Sequence, residues 1–240
     1  MMNPTVARLT VRGLLGRRRG LLLLVVPALL LLIAALAAST DGDKLDLTVK
    51  ILGDLDLGTL VPILGLVVGT GVIATEIDDG SIVYLLAKPL PRWRIITTKL
   101  AVAVVTTWVF AAVPTLIAGL LMYGTKDGLA LGYTVAVLVS GAAYSALFLM
   151  LGVITRHAVV AGLAYALVWE ALVGNYVEGA RTLSIQQWGR AVAEAVAGDT
   201  TNLNPAVSLG AGVILLAVVT VGATAFASVK LAGLTLAAEE

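Results

Sequence analysis

The chain has 240 residues, 59% of them hydrophobic and 13% charged, with a net charge of +1 and a mean hydropathy of +1.00. So apolar a composition excludes a soluble domain with a solvated surface, and the near-neutral charge excludes bulk attraction to nucleic acid. The lack of cysteine removes disulfides, thiolate metal sites and cysteine nucleophiles, and a lone histidine, His157, leaves no second imidazole for a zinc or haem centre.

Residues 1–19 carry Arg8, Arg12, Arg17, Arg18 and Arg19 and no acid. With Val6 and Leu9 they predict a short amphipathic helix in the membrane interface, Arg8 and Arg12 at anionic headgroups. Residues 21–38 form the first apolar run. At about 18 residues it is long for the core of a cleaved signal and enough to cross, so a retained helix is expected, with Pro27 tolerated inside it. In residues 39–56 acids outnumber bases, and Leu45, Leu47, Val49 and Ile51 alternate with polar residues. That pattern predicts an extended piece or a brief interfacial helix in a solvated acidic loop. A calcium loop fails, because the fifth position counted from Asp41 is Leu45 and no glycine follows it.

Residues 57–75 are uncharged and predict a second crossing. Charge returns in residues 69–99, GTGVIATEIDDGSIVYLLAKPLPRWRIITTK. Glu76, Asp78 and Asp79 come first, then Ile82, Leu85 and Leu86 at helical spacing, then Lys88, Arg92, Arg94 and Lys99 around Pro89 and Pro91. The order predicts a short helix with one apolar stripe, acids near its positive end and bases near its negative end, stopped by the prolines. Apolar runs at 100–123 and 129–154 predict the third and fourth crossings, joined by a tight turn at 124–128. After Arg156 and His157, residues 158–173 predict a fifth, which contains one acid, Glu170. The polar connection 175–205 holds a further amphipathic pattern. Ser184 can cap a helix with Ile185, Trp188, Val192 and Val196 on one face and Gln186, Gln187, Arg190 and Glu194 on another. Such a helix would dip into the outer leaflet with Trp188 at headgroup level, or pack on the protein's own outer face. Residues 206–229 predict the sixth crossing.

With six crossings and both termini inside, eleven of the sixteen Lys and Arg residues fall on the inner side and five on the outer. The positive-inside rule then places residues 76–99 in the cytoplasm.

The ordered set Glu76, Gly80-Ser81, Leu85-Leu86, Lys88-Pro89, Arg92 and Lys99 resembles the permeases of the ABC-2 type, membrane subunits of ATP-driven exporters. In that family a Glu closes the second membrane helix and is followed by Gly-Ser or Gly-Thr, a Leu pair, a basic residue with Pro, then Arg and a later Lys. A second likeness lies in Trp169-Glu170 and in Ser184 with Gln186. The resemblance implies an all-α membrane protein, one ABC-2 type transmembrane domain over residues 1–240. It has six transmembrane helices, cytoplasmic termini, a cytoplasmic coupling helix between helices 2 and 3, and an extracellular interfacial or re-entrant helix between helices 5 and 6.

The implied coupling helix docks on a separate ATPase through Glu76, Asp78, Asp79, Gly80, Ser81, Leu85, Leu86, Lys88, Pro89 and Arg92. The chain has no Gly-x-x-x-x-Gly-Lys-Ser/Thr phosphate loop. ATP and magnesium are therefore expected on the partner, and no cofactor, metal or catalytic residue on this chain. The other expected partners are a second permease copy or a paralogue, and membrane lipid. The setting implied is a bacterial plasma membrane, crossed several times, and the cargo an amphipathic drug, lipid or peptide. A secondary transporter or channel is the rival reading. It calls for several intramembrane ionisable residues or broken helices, whereas the predicted spans hold only Glu170. Glu170 itself has two readings, a structural hydrogen bond to backbone or Arg181, and a place on the cargo path.

Overall fold

The computed structural model describes residues 4–14, 16–40, 43–73, 76, 91–173, 177–198 and 203–234. The elements among them are all helical. In chain order they are α1 (Pro4–Leu14), α2 (Arg17–Ala38), α3 (Lys44–Gly71), α4 (Arg92–Tyr123) and α5 (Leu129–Ile154). Then come α6 (Ala158–Ala164, continued by Tyr165–Val173), α7 (Glu178–Arg181), α8 (Ile185–Ala197) and α9 (Leu209–Leu234).

Five of these helices are long and apolar enough to cross a bilayer: α2, α3, α4, α5 and α9. Residues 158–173, read from sequence as a full crossing, are too short to join them. The nine residues Tyr165–Val173 are π-helical, a wider coil that advances less per residue than the 1.5 Å of an α-helix.

The acidic stretch, expected as an extended piece or a brief interfacial helix in a solvated loop, is helix from Lys44 on and runs into the second long helix. Asp43 caps α3 by accepting hydrogen bonds from the Leu45 and Asp46 amides at 3.0 and 3.3 Å. Lys50 and Asp46 pair at 2.8 Å across one turn of its exposed face. Leu52, Leu57 and also Asp56 turn inward and are buried. The second long helix therefore starts well before the expected position 57, and the third starts at Arg92 rather than at 100.

Two π-helical stretches inside the long helices have a common cause. Ile51–Leu60 precedes Pro62 in α3, and Trp108–Ala112 precedes Pro114 in α4. A proline lacks the N–H that would bond four residues back and its ring pushes on that carbonyl, here those of Gly58 and Phe110. Both carbonyls lie in the π stretch, whose widened turn relieves the clash without breaking the helix.

Helix α5 forms the centre of the bundle, with α3, α4, α8 and α9 packed around it. Gly65 and Gly69, one turn apart on α3, form a close approach to α5. A Cβ on Gly69 would sit 2.9 Å from both the Phe148 Cβ and the Ser145 carbonyl oxygen, and one on Gly65 2.8 Å from the Tyr144 Cβ. Small residues at this spacing let two backbones approach, as dispersion packing inside a membrane requires. On α2, Leu23, Leu30 and Ala34 face the bundle while Leu21, Leu24, Leu32 and Leu36 point out. Helix α9 is similar, Leu216, Ala227 and Leu231 turned inward and Ile214, Val221 and Val229 outward. Outward leucine and valine on helices of this length suit a lipid surround.

Candidate functional site

The C-terminal end of α3 and the start of α4 meet at one ion pair. Pro91, extended at φ −63° and ψ 133°, leads into α4 without needing a donor there. About two turns later Lys99 is fully buried. Its Nζ donates to Glu76 Oε1 at 2.6 Å and to the Val72 carbonyl at 2.6 Å. Val72 lies at the end of α3, where helix carbonyls lack intrahelical partners and the dipole is negative. The ammonium thus replaces its lost water with one carboxylate and one helix-end carbonyl, the pairing a buried charge demands. Glu76 stays 29% exposed. Both roots of the segment between Glu76 and Pro91 are therefore fastened to one point of the bundle.

Of the expected docking residues, Asp78, Asp79, Gly80, Ser81, Leu85, Leu86, Lys88 and Pro89 lie outside the described residues. Arg92 is half-buried at the first position of α4, and next to it the Arg94 guanidinium stands 5.4 Å from the ring centre of the exposed Trp93. Arg8 is exposed on α1, whose Thr10 and Leu14 are buried against the bundle; the side chain of Arg12 lies outside the described residues.

A second polar centre joins α6 to α8. Glu170 is fully buried, and four donors converge on its carboxylate. The Tyr165 hydroxyl gives to Oε1 at 2.8 Å, Ser184 Oγ to Oε2 at 2.5 Å, the Ile185 amide to Oε1 at 3.0 Å and the Gln186 amide to Oε2 at 3.3 Å. Ser184 caps α8 as expected, accepting from the Gln187 amide at 3.4 Å, and Glu170 satisfies the two amides that the cap leaves free. A carboxylate at a helix N-terminus also meets the positive end of its dipole. The geometry realises the backbone hydrogen bonds expected of Glu170.

Helix α8 departs from the surface placement read from its pattern. Trp188, assigned to the headgroup level, is 5% exposed, and its indole N–H donates to the Thr182 carbonyl at 2.8 Å. Its polar face also meets protein, at Gln186 and Arg190. Gln186 Nε2 donates to the Gly53 carbonyl at 2.8 Å, and Arg190 forms an ion pair with Asp54. Both partners sit on the π-helical stretch of α3, so Gln186 and Arg190 of α8 meet another helix. Gly189 lies so close to Ser140 of α5 that a Cβ there would have to displace the Ser140 hydroxyl.

Sequence reasoning missed the Lys99 and Glu76 pair, although both residues stood in the pattern; the signal was a lysine followed at once by an unbroken apolar run. It also missed the burial of Asp56, Gln186 and Gln187, which depends on partners far off in the chain.

The profile of the ABC-2 family transporter proteins matches residues 57–231, well over half of the chain. The chain belongs to the ABC-2 transporter family, and it is the membrane component of such a transporter, a multi-pass permease and not a catalytic subunit. No curated protein matches it. The matched region takes in the Lys99 pair, the Glu170 centre and α8, and starts one residue after Asp56.

Proposed function

We propose that this chain is the permease of an ATP-driven exporter, moved by a separate ATPase that binds ATP and magnesium and docks on residues 76–92. The observation that carries this reading is the Lys99 pair with Glu76 and Val72. A force applied to the segment between Glu76 and Pro91 reaches α3 and α4 together, because both roots share one buried fastening. In this reading Glu76 both borders the docking surface and anchors it. Asp78, Asp79, Gly80, Ser81, Leu85, Leu86, Lys88, Pro89 and Arg92 supply the rest of that surface.

The topology proposed keeps six crossings. The fifth is the short helix 158–173, and its return into the bundle is completed by α8, held to it by Glu170. An even number of crossings places both termini in the cytoplasm, in accord with the distribution of Lys and Arg. Helix α1 then lies on the inner leaflet, with Arg8 and Arg12 toward anionic headgroups. The working unit pairs two permeases, identical or paralogous, in a bacterial plasma membrane. The cargo proposed is amphipathic, a drug, lipid or peptide. Glu170, whose described hydrogen bonds come from the protein's own donors, is a structural residue rather than a cargo ligand.

Purification of the tagged chain from its native membranes tests the reading. Recovery of a stoichiometric P-loop ATPase is the expected result. Cargo transport that persists in membranes free of any such ATPase would establish the rival, a secondary transporter or channel.

A further inference from the structure

Asp56 is a buried acid that neither polar centre uses. It sits in the π-helical stretch of α3, 2% exposed, and its Oδ2 lies 2.6 Å from the Thr115 hydroxyl of α4. The same hydroxyl lies 2.8 Å from the Ala111 carbonyl, one turn back on its own helix. A threonine hydroxyl has one proton, and a carbonyl only accepts. If that proton goes to Ala111, the 2.6 Å contact needs a second proton, and the only place for it is the Asp56 carboxyl. A neutral carboxyl satisfies both contacts in one chain, from Asp56 O–H to Thr115 and from Thr115 O–H to Ala111. An ionised one leaves two acceptors competing for a single proton in a buried site, where an unpaired charge is costly.

The charged groups nearby are already engaged. On α3 itself Asp54 pairs with Arg190 of α8, and Lys50 with Asp46. From α6, Tyr165 donates to Glu170, whose carboxylate is turned to the start of α8. From α5, Tyr133 reaches the Val49 carbonyl at 3.4 Å and the Tyr144 hydroxyl faces Glu170. On α4, Tyr123 bonds Asp127 beyond the turn, and Lys99 is held at the inner end. Between Gly20 and Ala38, α2 carries no titratable side chain. Among the described residues no cation pairs with Asp56.

We propose that Asp56 is a proton-binding site: in the packed conformation it is a neutral acid donating to Thr115, and it gives its proton to water when α3 and α4 separate around it. The proton comes from solvent and returns to solvent, leaving a hydrated carboxylate. Because only the separated state releases it, raising the pH favours separation and acid favours the packed form. The inference rests on this contact alone and does not depend on the docking of an ATPase.

The test uses the full-length chain purified in detergent, as wild type and as Asp56→Asn, at pH 7. An asparagine amide donates to Thr115 as the neutral acid does, so the variant is expected to fold and to melt at or above the wild-type temperature. Infrared spectra are expected to show the C=O stretch of a protonated carboxyl in the wild type, with one acid's worth of that band missing from the variant. Identical spectra in this region would overturn the proposal. So would a melting temperature several degrees below wild type or a failure to fold, because either means that Asp56 acts as a charged acceptor.

Discussion

Glu170 and Lys99 show how much a buried charge depends on its partners. Every hydrogen bond described for Glu170 arrives from a donor, two of them backbone amides at the start of α8. Glu170→Gln keeps the shape, yet turns an NH2 group toward donors and loses acceptor capacity. With hydrogen bonds to charged groups worth about 1.5–3 kcal/mol each, the variant is expected to lose at least about 2 kcal/mol, read as a lower melting temperature in detergent. An unchanged melt would show that the four contacts hold nothing. The Lys99 pair is asymmetric. Glu76→Ala takes the carboxylate from an ammonium that has no exposure, whereas the Glu76 carboxylate left by Lys99→Met is 29% exposed and can hydrate. Removing one partner of a buried pair costs about 3–5 kcal/mol, so Glu76→Ala should approach that range and Lys99→Met fall short of it. Equal losses, or the reverse order, in thermal melts of the two variants would contradict the burial described.

At the scale of elements, packing of α3 on α5 turns on two glycines. Gly69→Ala puts a methyl 2.9 Å from a backbone oxygen and from a side-chain carbon rooted on the same helix, so α5 must shift. The expected cost is about 1–3 kcal/mol, the usual range for overpacking, while Gly222→Ala, with open space at its position, serves as the neutral control. If both substitutions melt like wild type, the close approach is absent. The long apolar helices were legible in the sequence, because lipid selects for uninterrupted apolar runs. The helix that starts at Lys44 was not. Local hydropathy reads Asp54 and Asp56 as loop, but their partners Arg190 and Thr115 lie far along the chain, and no window spans those distances. The same blindness misplaced α8. An amphipathic pattern says that one face is polar, without saying whether water or the polar wall of another helix meets it; here Gly53 and Asp54 do. The likeness carried by Glu76 and Lys99 named the family, while the contact between them became visible only once α3 and α4 were side by side.

For the whole molecule, the topology can be read with single cysteines, since the chain has none of its own. A cysteine at the exposed Thr125, in the turn between α4 and α5, should react with an impermeant thiol reagent added to intact cells, and one at Gly80 should react only after lysis. Labelling of Gly80→Cys from outside would invert the arrangement and remove the docking segment from the cytoplasm. Coupling to an ATPase is the larger claim, and it makes a demand on one stretch of chain. The most direct measurement purifies two tagged forms from native membranes, the wild type and a variant whose residues 77–90 are replaced by a glycine-serine linker of equal length. Docking through this segment predicts that a P-loop ATPase copurifies with the wild type and is lost from the linker variant, while the variant remains folded in the membrane. Equal recovery of the ATPase with both forms, or its absence from both, would contradict it.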